Sequence, residues 1–219
     1  MFKSRKEAGK LLGKKIKTNL QEELGESSFK NKLVVLGIPR GGVVIGKEVA
    51  NILGCFLDVI VVKKLAAPGQ QELAIGAIGE TAGSNYIDKK IVKELNISKR
   101  YLTTEIAKKK EEIKNREKIF RANLKEVALQ DKIVIIVDDG AATGATIIAA
   151  IREVWNSKPK KVIVGLPVLA LDTLEKLENE ADEVIFLEAP TNFFAVGQFY
   201  QEFAQVEDEK VINILRKKP

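Results

Sequence analysis

Two adjacent carboxylates, Asp138 and Asp139, close the apolar run "IVIIV" and stand just before "GAATGAT". Paired acids at the end of a buried strand are costly unless something uses them. The residues that follow, Gly140, Ala141, Ala142, Thr143, Gly144, Ala145 and Thr146, are small or hydroxylic and lead into a helical pattern. A helix N-terminus offers unpaired amides and partial positive charge, which suits a phosphate. Small side chains let an anion approach the backbone, and Thr143 and Thr146 add hydroxyl donors. The stretch therefore predicts a phosphate on the amides, with Asp138 and Asp139 beside it facing hydroxyls or Mg2+. The P-loop and dinucleotide fingerprints, which would serve other phosphate ligands, are absent.

A second group, Arg40, Gly41 and Gly42, follows another apolar run. A cation and two glycines at a strand end let the backbone turn toward an anion; the alternative is a plain turn. Lys63 and Lys64 end a third apolar run beside a Pro-Gly pair.

The sequence has no histidine and one cysteine. Ser-His-Asp and Cys-His mechanisms, the common zinc sites and an intramolecular disulfide are thereby excluded. Cys55, in an apolar stretch, reads as a small core residue. Catalysis must rest on carboxylates, Lys, Arg, Tyr, backbone amides or an oxygen-bound metal. The formal charge of +6 suits an anionic partner. No apolar run approaches the ~18 residues of a membrane span. Charges run through the place where the apolar region of a secretory signal would be. These features predict a cytoplasmic protein with no membrane partner.

The elements that would position these residues alternate. Residues 4 to about 24 read as an amphipathic helix with Ala8, Leu11, Leu12, Ile16 and Leu20 on one face. "NKLVVLGIPRGG" is a strand and "GVVIGKEVANILG" a helix. "FLDVIVVKKL" reads as a second strand, "AAPGQQ" as a loop, "ELAIGAIGE" as a strand and "AGSN" as a turn. From Asp88 to about Leu129 the pattern is mostly helical, with Ile106, Ile113, Phe120 and Val127 recurring every seven residues. "DKIVIIV", "KKVIVGLPV" and "DEVIFLEAP" are strands separated by helices. A tail and a last short helix close the chain. Several strands are apolar throughout, which argues for a mainly parallel sheet buried on both faces, an open α/β architecture. No boundary divides residues 1–219, so one domain is expected.

"VIIVDDGAATGAT" resembles the thirteen-residue phosphoribosyl-diphosphate signature of the type I phosphoribosyltransferases: four apolar residues, two acids, two variable residues, then Thr/Ser-Gly-x-Thr/Ser. "GIPRGGVVIGKEVA", "DVIVVKKLAAPGQQELAIGAIGE" and "FFAVGQFYQEFAQVEDEKV" are similar to a subgroup of predicted phosphoribosyltransferases with no assigned acceptor. The resemblance implies a flanked parallel sheet carrying a small hood, built partly from the C-terminal segment. It implies transfer of a phosphoribosyl group from 5-phosphoribosyl 1-diphosphate, with Mg2+, to a nitrogen heterocycle, with release of pyrophosphate.

Carried over by position, Asp138 and Asp139 face the ribose hydroxyls and the metal, and Ala141 through Thr146 hold the 5-phosphate. Arg40, Gly41 and Gly42 form the pyrophosphate loop, where the family often has a cis peptide, here near Pro39–Arg40. Lys63 and Lys64 reach the diphosphate or are ordinary solvated lysines. "LAAPGQQELAIGAIGE" matches the mobile loop that closes over the donor. Phe193 and Phe194, in "APTNFFAVGQFY", fall in the acceptor segment, where aromatic rings either stack on the base or pack the core. No residue stands out to deprotonate the acceptor.

Two other readings exist. The first is a regulator that senses the donor and binds nucleic acid, suggested by the basic charge and "KKKEEIKNREKIFR". Interleaved acids and scarce aromatics argue against it. That helix reads instead as a solvated face with a narrow seam, for packing or for a homodimer. The second, a phosphohydrolase with Asp138 as nucleophile, lacks D-x-D spacing.

Overall fold

The structure is a computed structural model that describes residues 1–24, 32–122 and 124–216. Strand β1 (Phe2–Ser4) leads into α1 (Arg5–Leu24), followed by β2 (Leu33–Gly37), α2 (Gly41–Leu53) and β3 (Phe56–Val59). Next come β4 (Lys63–Ala67), β5 (Gln70–Ile78), β6 (Tyr86–Ile87), α3 (Lys89–Glu94) and the long α4 (Lys99–Arg121). The second half runs β7 (Ile133–Val137), α5 (Ala145–Trp155), β8 (Lys161–Val168), α6 (Leu171–Glu178), β9 (Glu183–Glu188), β10 (Tyr200–Glu202) and α7 (Asp208–Arg216).

The main sheet has the order β3-β2-β7-β8-β9, with every pairing parallel. β7 sits in the middle, and its five residues are all buried. Their alternation serves two cores. Val134 and Ile136 pack with Ile147, Ile148 and Ile151 of α5. Ile133, Ile135 and Val137 pack with Leu12 and Ile16 of α1 and with Ile45 and Val49 of α2. A strand covered on both faces has no polar side, which is why the run carries no alternation.

Two small sheets stand apart from this one. β4, β5 and β6 form an antiparallel hood sheet beside the parallel one, drawn from the middle of the chain, where the resemblance places a mobile loop, and β1 pairs parallel with β10 of the C-terminal segment. A third core, with Val61, Leu65, Ile75, Ile113, Phe120, Val211 and Leu215, joins the hairpin to α4 and α7. Cys55 is buried, and burial pushes its thiol up to about 12. Among the described residues, no helix is long and apolar enough to cross a membrane.

Five local expectations change. "FLDVIVVKKL" is two strands in different sheets: β3 ends at Val59, and the chain then leaves for β4. Ile60, Val61 and Val62 stay buried throughout, so hydrophobicity conceals the change of partner. "AAPGQQ" is a tight hairpin turn, with Ala67 opposite Gln70. The stretch from Asp88 breaks at Leu95, and Ser98 then caps α4 by accepting from the Tyr101 amide. α4 ends at Arg121, so Val127 lies beyond the helix and packs on the α5 core instead. Leu11 is exposed, whereas Ala8, Leu12, Ile16 and Leu20 are fully buried.

Candidate active site

In an open parallel sheet, ligands gather beyond the carboxyl ends of the strands. Here the ends of β2 and β7 lie side by side, with Gly37 opposite Val137. The Ile38 amide donates to the Val137 carbonyl at 2.9 Å and ties the two exits together. The Pro39–Arg40 peptide is cis, at the position expected. α2 begins at once and crowds the acid pair. A Cβ on Gly42 would lie 2.5 Å from the Val137 carbonyl and 2.9 Å from Asp138 Cα. One on Gly41 would collide with the Asp139 carboxylate.

The acids are held differently. The Asp139 amide donates to Asp138 Oδ1 at 2.8 Å. Arg5 Nε donates to Asp139 Oδ2 at 2.7 Å, and its Nη1 donates to the Ala204 carbonyl at 2.8 Å. The Arg5 guanidinium lies 3.7 Å from the centre of the Phe203 ring. The Tyr200 hydroxyl donates to the Asp139 carbonyl at 2.6 Å. Burial, then the Asp139 charge, push Asp138 well above the usual carboxylate range. Burial also raises Asp139, opposed by the hydrogen bond and charge of Arg5.

Beyond the acids, the loop is fixed at two points. The Ala141 amide donates to Val168, and Thr173 Oγ1 donates to the Ala142 carbonyl at 2.6 Å. Gly144 takes φ 74°, a left-handed conformation that glycine adopts freely, and α5 starts at the next residue. Among the described residues, the amides of Ala142, Thr143 and Gly144 have no protein acceptor. The Ala145 and Thr146 amides, in the first turn of α5, are likewise without an acceptor, whereas the Ala141 amide is already spent.

A cleft of about 620 Å³ opens over these groups. Asp138, Asp139, Gly140, Ala141, Ala142, Thr143, Gly144, Thr146, Arg40, Gly41, Lys63 and Lys64 all line it. Gly42 and Ala145 do not: Gly42 is the close contact between α2 and β7, and Ala145 is buried in the α5 core. Phe193 and Phe194 are also outside. Phe193 packs on Phe199, with ring centres 5.1 Å apart, and Phe194 is 89% exposed. The rings that do reach the cleft are Phe120 and Phe203.

Ile38, Pro39, Val61 and Val62 also line it, as do Arg5, Arg116, Val196, Gln205 and Val206, which were not singled out from the sequence. Arg5 and Arg116 come from α1 and α4, far from any local motif, whereas Val196, Gln205 and Val206 flank β10 inside the C-terminal stretch that carries the resemblance. Phe120, read from the sequence as part of a packing or homodimer seam, instead faces both the third core and the cleft. Among the described residues, no three acids or cysteines are grouped to hold a metal by themselves. Mg2+ takes oxygen donors only, one or two carboxylates completed by phosphate oxygens and water, and Asp138 and Asp139 are donors of that kind that would hold it.

Together these features define an α/β protein whose cleft spans the ends of β2 and β7, with a loop of unmatched amides on one side and cations on the other. The sequence profile of the phosphoribosyl transferase domain matches residues 6–203. The chain belongs to that family. Two curated proteins of Mycobacterium tuberculosis, from strains CDC 1551 and H37Rv, are each named "Putative phosphoribosyl transferase" and are 38% identical over 215 residues. The match takes in 98% of this chain and 46% of theirs, so the chain spans about half the length of these relatives. The crystal structure of TT1426 from Thermus thermophilus superposes with a TM-score of 0.77 at 38% identity, covering 98% of this chain and 97% of that one. The AQ2163 protein of Aquifex aeolicus, at TM-score 0.51 and 16% identity over 84% of this chain and 73% of its own, shares the fold alone.

Proposed function

We propose that the protein transfers the phosphoribosyl group of 5-phosphoribosyl 1-diphosphate to a ring nitrogen of a heterocyclic base and releases pyrophosphate. One observation carries this reading: a single cleft joins an acid pair, a loop of free amides and a set of cations, at the spacing of adjacent strand ends. A sugar phosphate with a diphosphate on C1 needs these three features in this order. The Ala142, Thr143 and Gly144 amides, with the Thr143 and Thr146 hydroxyls, bind the 5-phosphate. Asp138 and Asp139 accept from the ribose hydroxyls and favour the positive charge that grows on the ring as the C1–O bond breaks. Arg40 and the lysines neutralise the departing diphosphate. The C1–N bond then forms, and the base gives up its proton.

Mg2+ is the cofactor in this reading: Asp138 and Asp139 would hold it, and it would supply charge neutralisation at the diphosphate. Residues 1–219 act as one domain in this reading. A cytoplasmic setting suits the donor and the single buried thiol.

The test has two arms. Calorimetry with the donor and with ribose 5-phosphate should show binding of both, and Arg40→Ala should weaken the donor far more than ribose 5-phosphate. A panel of purines, pyrimidines and pyridines, with donor and Mg2+, should show pyrophosphate release that depends on one class of base. A protein that binds neither phosphorylated sugar would refute the reading.

A further inference from the structure

We propose that Arg116, on the long helix α4, is a second binding residue for the diphosphate, held beside Arg40 by the carboxylate of Asp208. The inference rests on the transferase reading and goes further, in assigning the leaving-group subsite.

The geometry is specific. Arg116 Nη1 donates to Asp208 Oδ2 at 2.6 Å and Nη2 to Oδ1 at 2.8 Å, a fork-on-fork pair. Arg40 Nη1 lies 3.7 Å from the same Oδ1. One carboxylate thus brings together two guanidinium groups from α4 and from the β2–α2 loop. Both arginines line the cleft, and Asp208 does not. The carboxylate is therefore an anchor on the far side of the pair, and each arginine, about one-third exposed, keeps donors for a ligand. Asp208 is the first residue of α7, where the helix N-terminus favours a negative charge and keeps the anchor in place.

The neighbours point the same way. The Arg116 guanidinium lies over Phe120, another lining residue, at 4.9 Å. One turn earlier on α4, Glu112 stands 3.8 Å from Lys63 Nζ. α4 therefore acts on two cations of this wall: it contributes Arg116 and steadies Lys63. Two guanidinium groups against one carboxylate leave the wall positive, and a diphosphate presents two phosphoryl groups to match. A purely structural tie between α4 and α7 would need no arginine on the cleft side. As a partly exposed ion pair it would also contribute little stability.

The experiment is calorimetry of pyrophosphate, the donor and ribose 5-phosphate with the wild type, Arg116→Gln, Arg116→Lys and Asp208→Asn. Arg116→Gln should weaken pyrophosphate and donor binding by about tenfold or more, as expected for a lost charge-assisted contact, and leave ribose 5-phosphate within about twofold. Asp208→Asn should also weaken pyrophosphate, because the arginines lose their anchor. Arg116→Lys keeps the charge but not the fork; it should bind pyrophosphate more weakly than the wild type, and it replaces the Gln variant if that one fails to fold. Unchanged pyrophosphate affinity in a folded Arg116 variant overturns the proposal. Tighter pyrophosphate binding in Asp208→Asn makes Asp208 a competitor of the ligand and overturns the anchor. A wild type that binds no phosphorylated sugar or pyrophosphate overturns the transferase reading and this subsite together.

Discussion

Arg5 and Asp139 are 134 residues apart in sequence, and Arg5 Nε donates to Asp139 Oδ2 at 2.7 Å. The pair closes the floor of the cleft, with both side chains largely shielded from solvent, at 12% and 16% exposure. Asp139 is thus fixed in direction before any ligand arrives, and one of its oxygens is already committed. Removing the arginine leaves a carboxylate shielded and unpaired, which costs more than the ion pair itself contributes. Arg5→Ala is expected to destabilise the fold by ~1–3 kcal/mol. In a double-mutant cycle with Asp139→Asn, the combined loss should be smaller than the sum of the two. Chemical denaturation of the four proteins measures this, and strict additivity would show that the two groups do not interact.

The acid pair itself should matter to rate more than to fold. Asp138→Asn keeps the shape and the backbone hydrogen bonding while removing a charge that burial disfavours, so its melting temperature should equal or exceed that of the wild type. Turnover should fall by the equivalent of ~2–4 kcal/mol, the usual size of one lost electrostatic contributor. Asp139→Asn should show a similar loss in rate, together with some loss of stability from its Arg5 contact. Donor affinity should fall less than turnover in both, since the free amides of Ala142, Thr143 and Gly144 remain. Wild-type turnover in both variants would remove the pair from the chemistry.

Much of this site could be read in the sequence because its parts are local. β7, the acids, the small loop and the start of α5 are one unbroken stretch, and each step is written in neighbouring residues. What could not be read depends on tertiary closure. Arg5 reaches Asp139 only because α1 packs across α2 and brings its first turn to the strand ends. Arg116 looks like any solvated arginine until α7 supplies Asp208. Phe193 and Phe194 show the converse: aromatic type left stacking on a base and packing in the core both open, and only the fold sets Phe193 against Phe199 and leaves Phe194 exposed. The split of "FLDVIVVKKL" escaped detection because burial continues through the change from one sheet to another.

Gly42 tests how tightly α2 is seated on β7. An added Cβ would meet two backbone groups, the Val137 carbonyl and Asp138 Cα, and neither can swing aside as a side chain would. Gly42→Ala should therefore push α2 away from the strand end and destabilise the protein by ~1–3 kcal/mol, as overpacking does. Donor affinity should fall as well, since Arg40 and the acids share that contact. Denaturation and calorimetry on the purified variant check both effects. A fully stable Gly42→Ala with normal donor binding would mean the gap can open without consequence.

The last prediction concerns Glu117, away from the cleft near the end of α4. Its side chain is 16% exposed and faces Arg121, with Glu80, Glu126, Glu153 and Asp58 around the same small cavity. Burial is the main reason its carboxyl is pushed up to about 7 from an ordinary 4.5; Glu80 and Glu126 add to this, and Arg121 opposes it. Arg121 cannot fully compensate, because Asp58 Oδ1 accepts from its Nε and Glu126 also pairs with it. Between about 4.5 and about 7 the folded protein therefore holds a proton that the unfolded chain has released. The stabilisation tied to that proton is complete below the unfolded value and is lost as pH rises through the folded one. Glu117→Gln mimics the protonated form at every pH. Its melting temperature relative to the wild type should climb across this window and level off above it. Thermal melts of both proteins at half-unit steps from about pH 4.5 to about pH 8 decide the matter, a range that brackets the shift. Parallel curves would show that Glu117 titrates alike in the folded and unfolded chains.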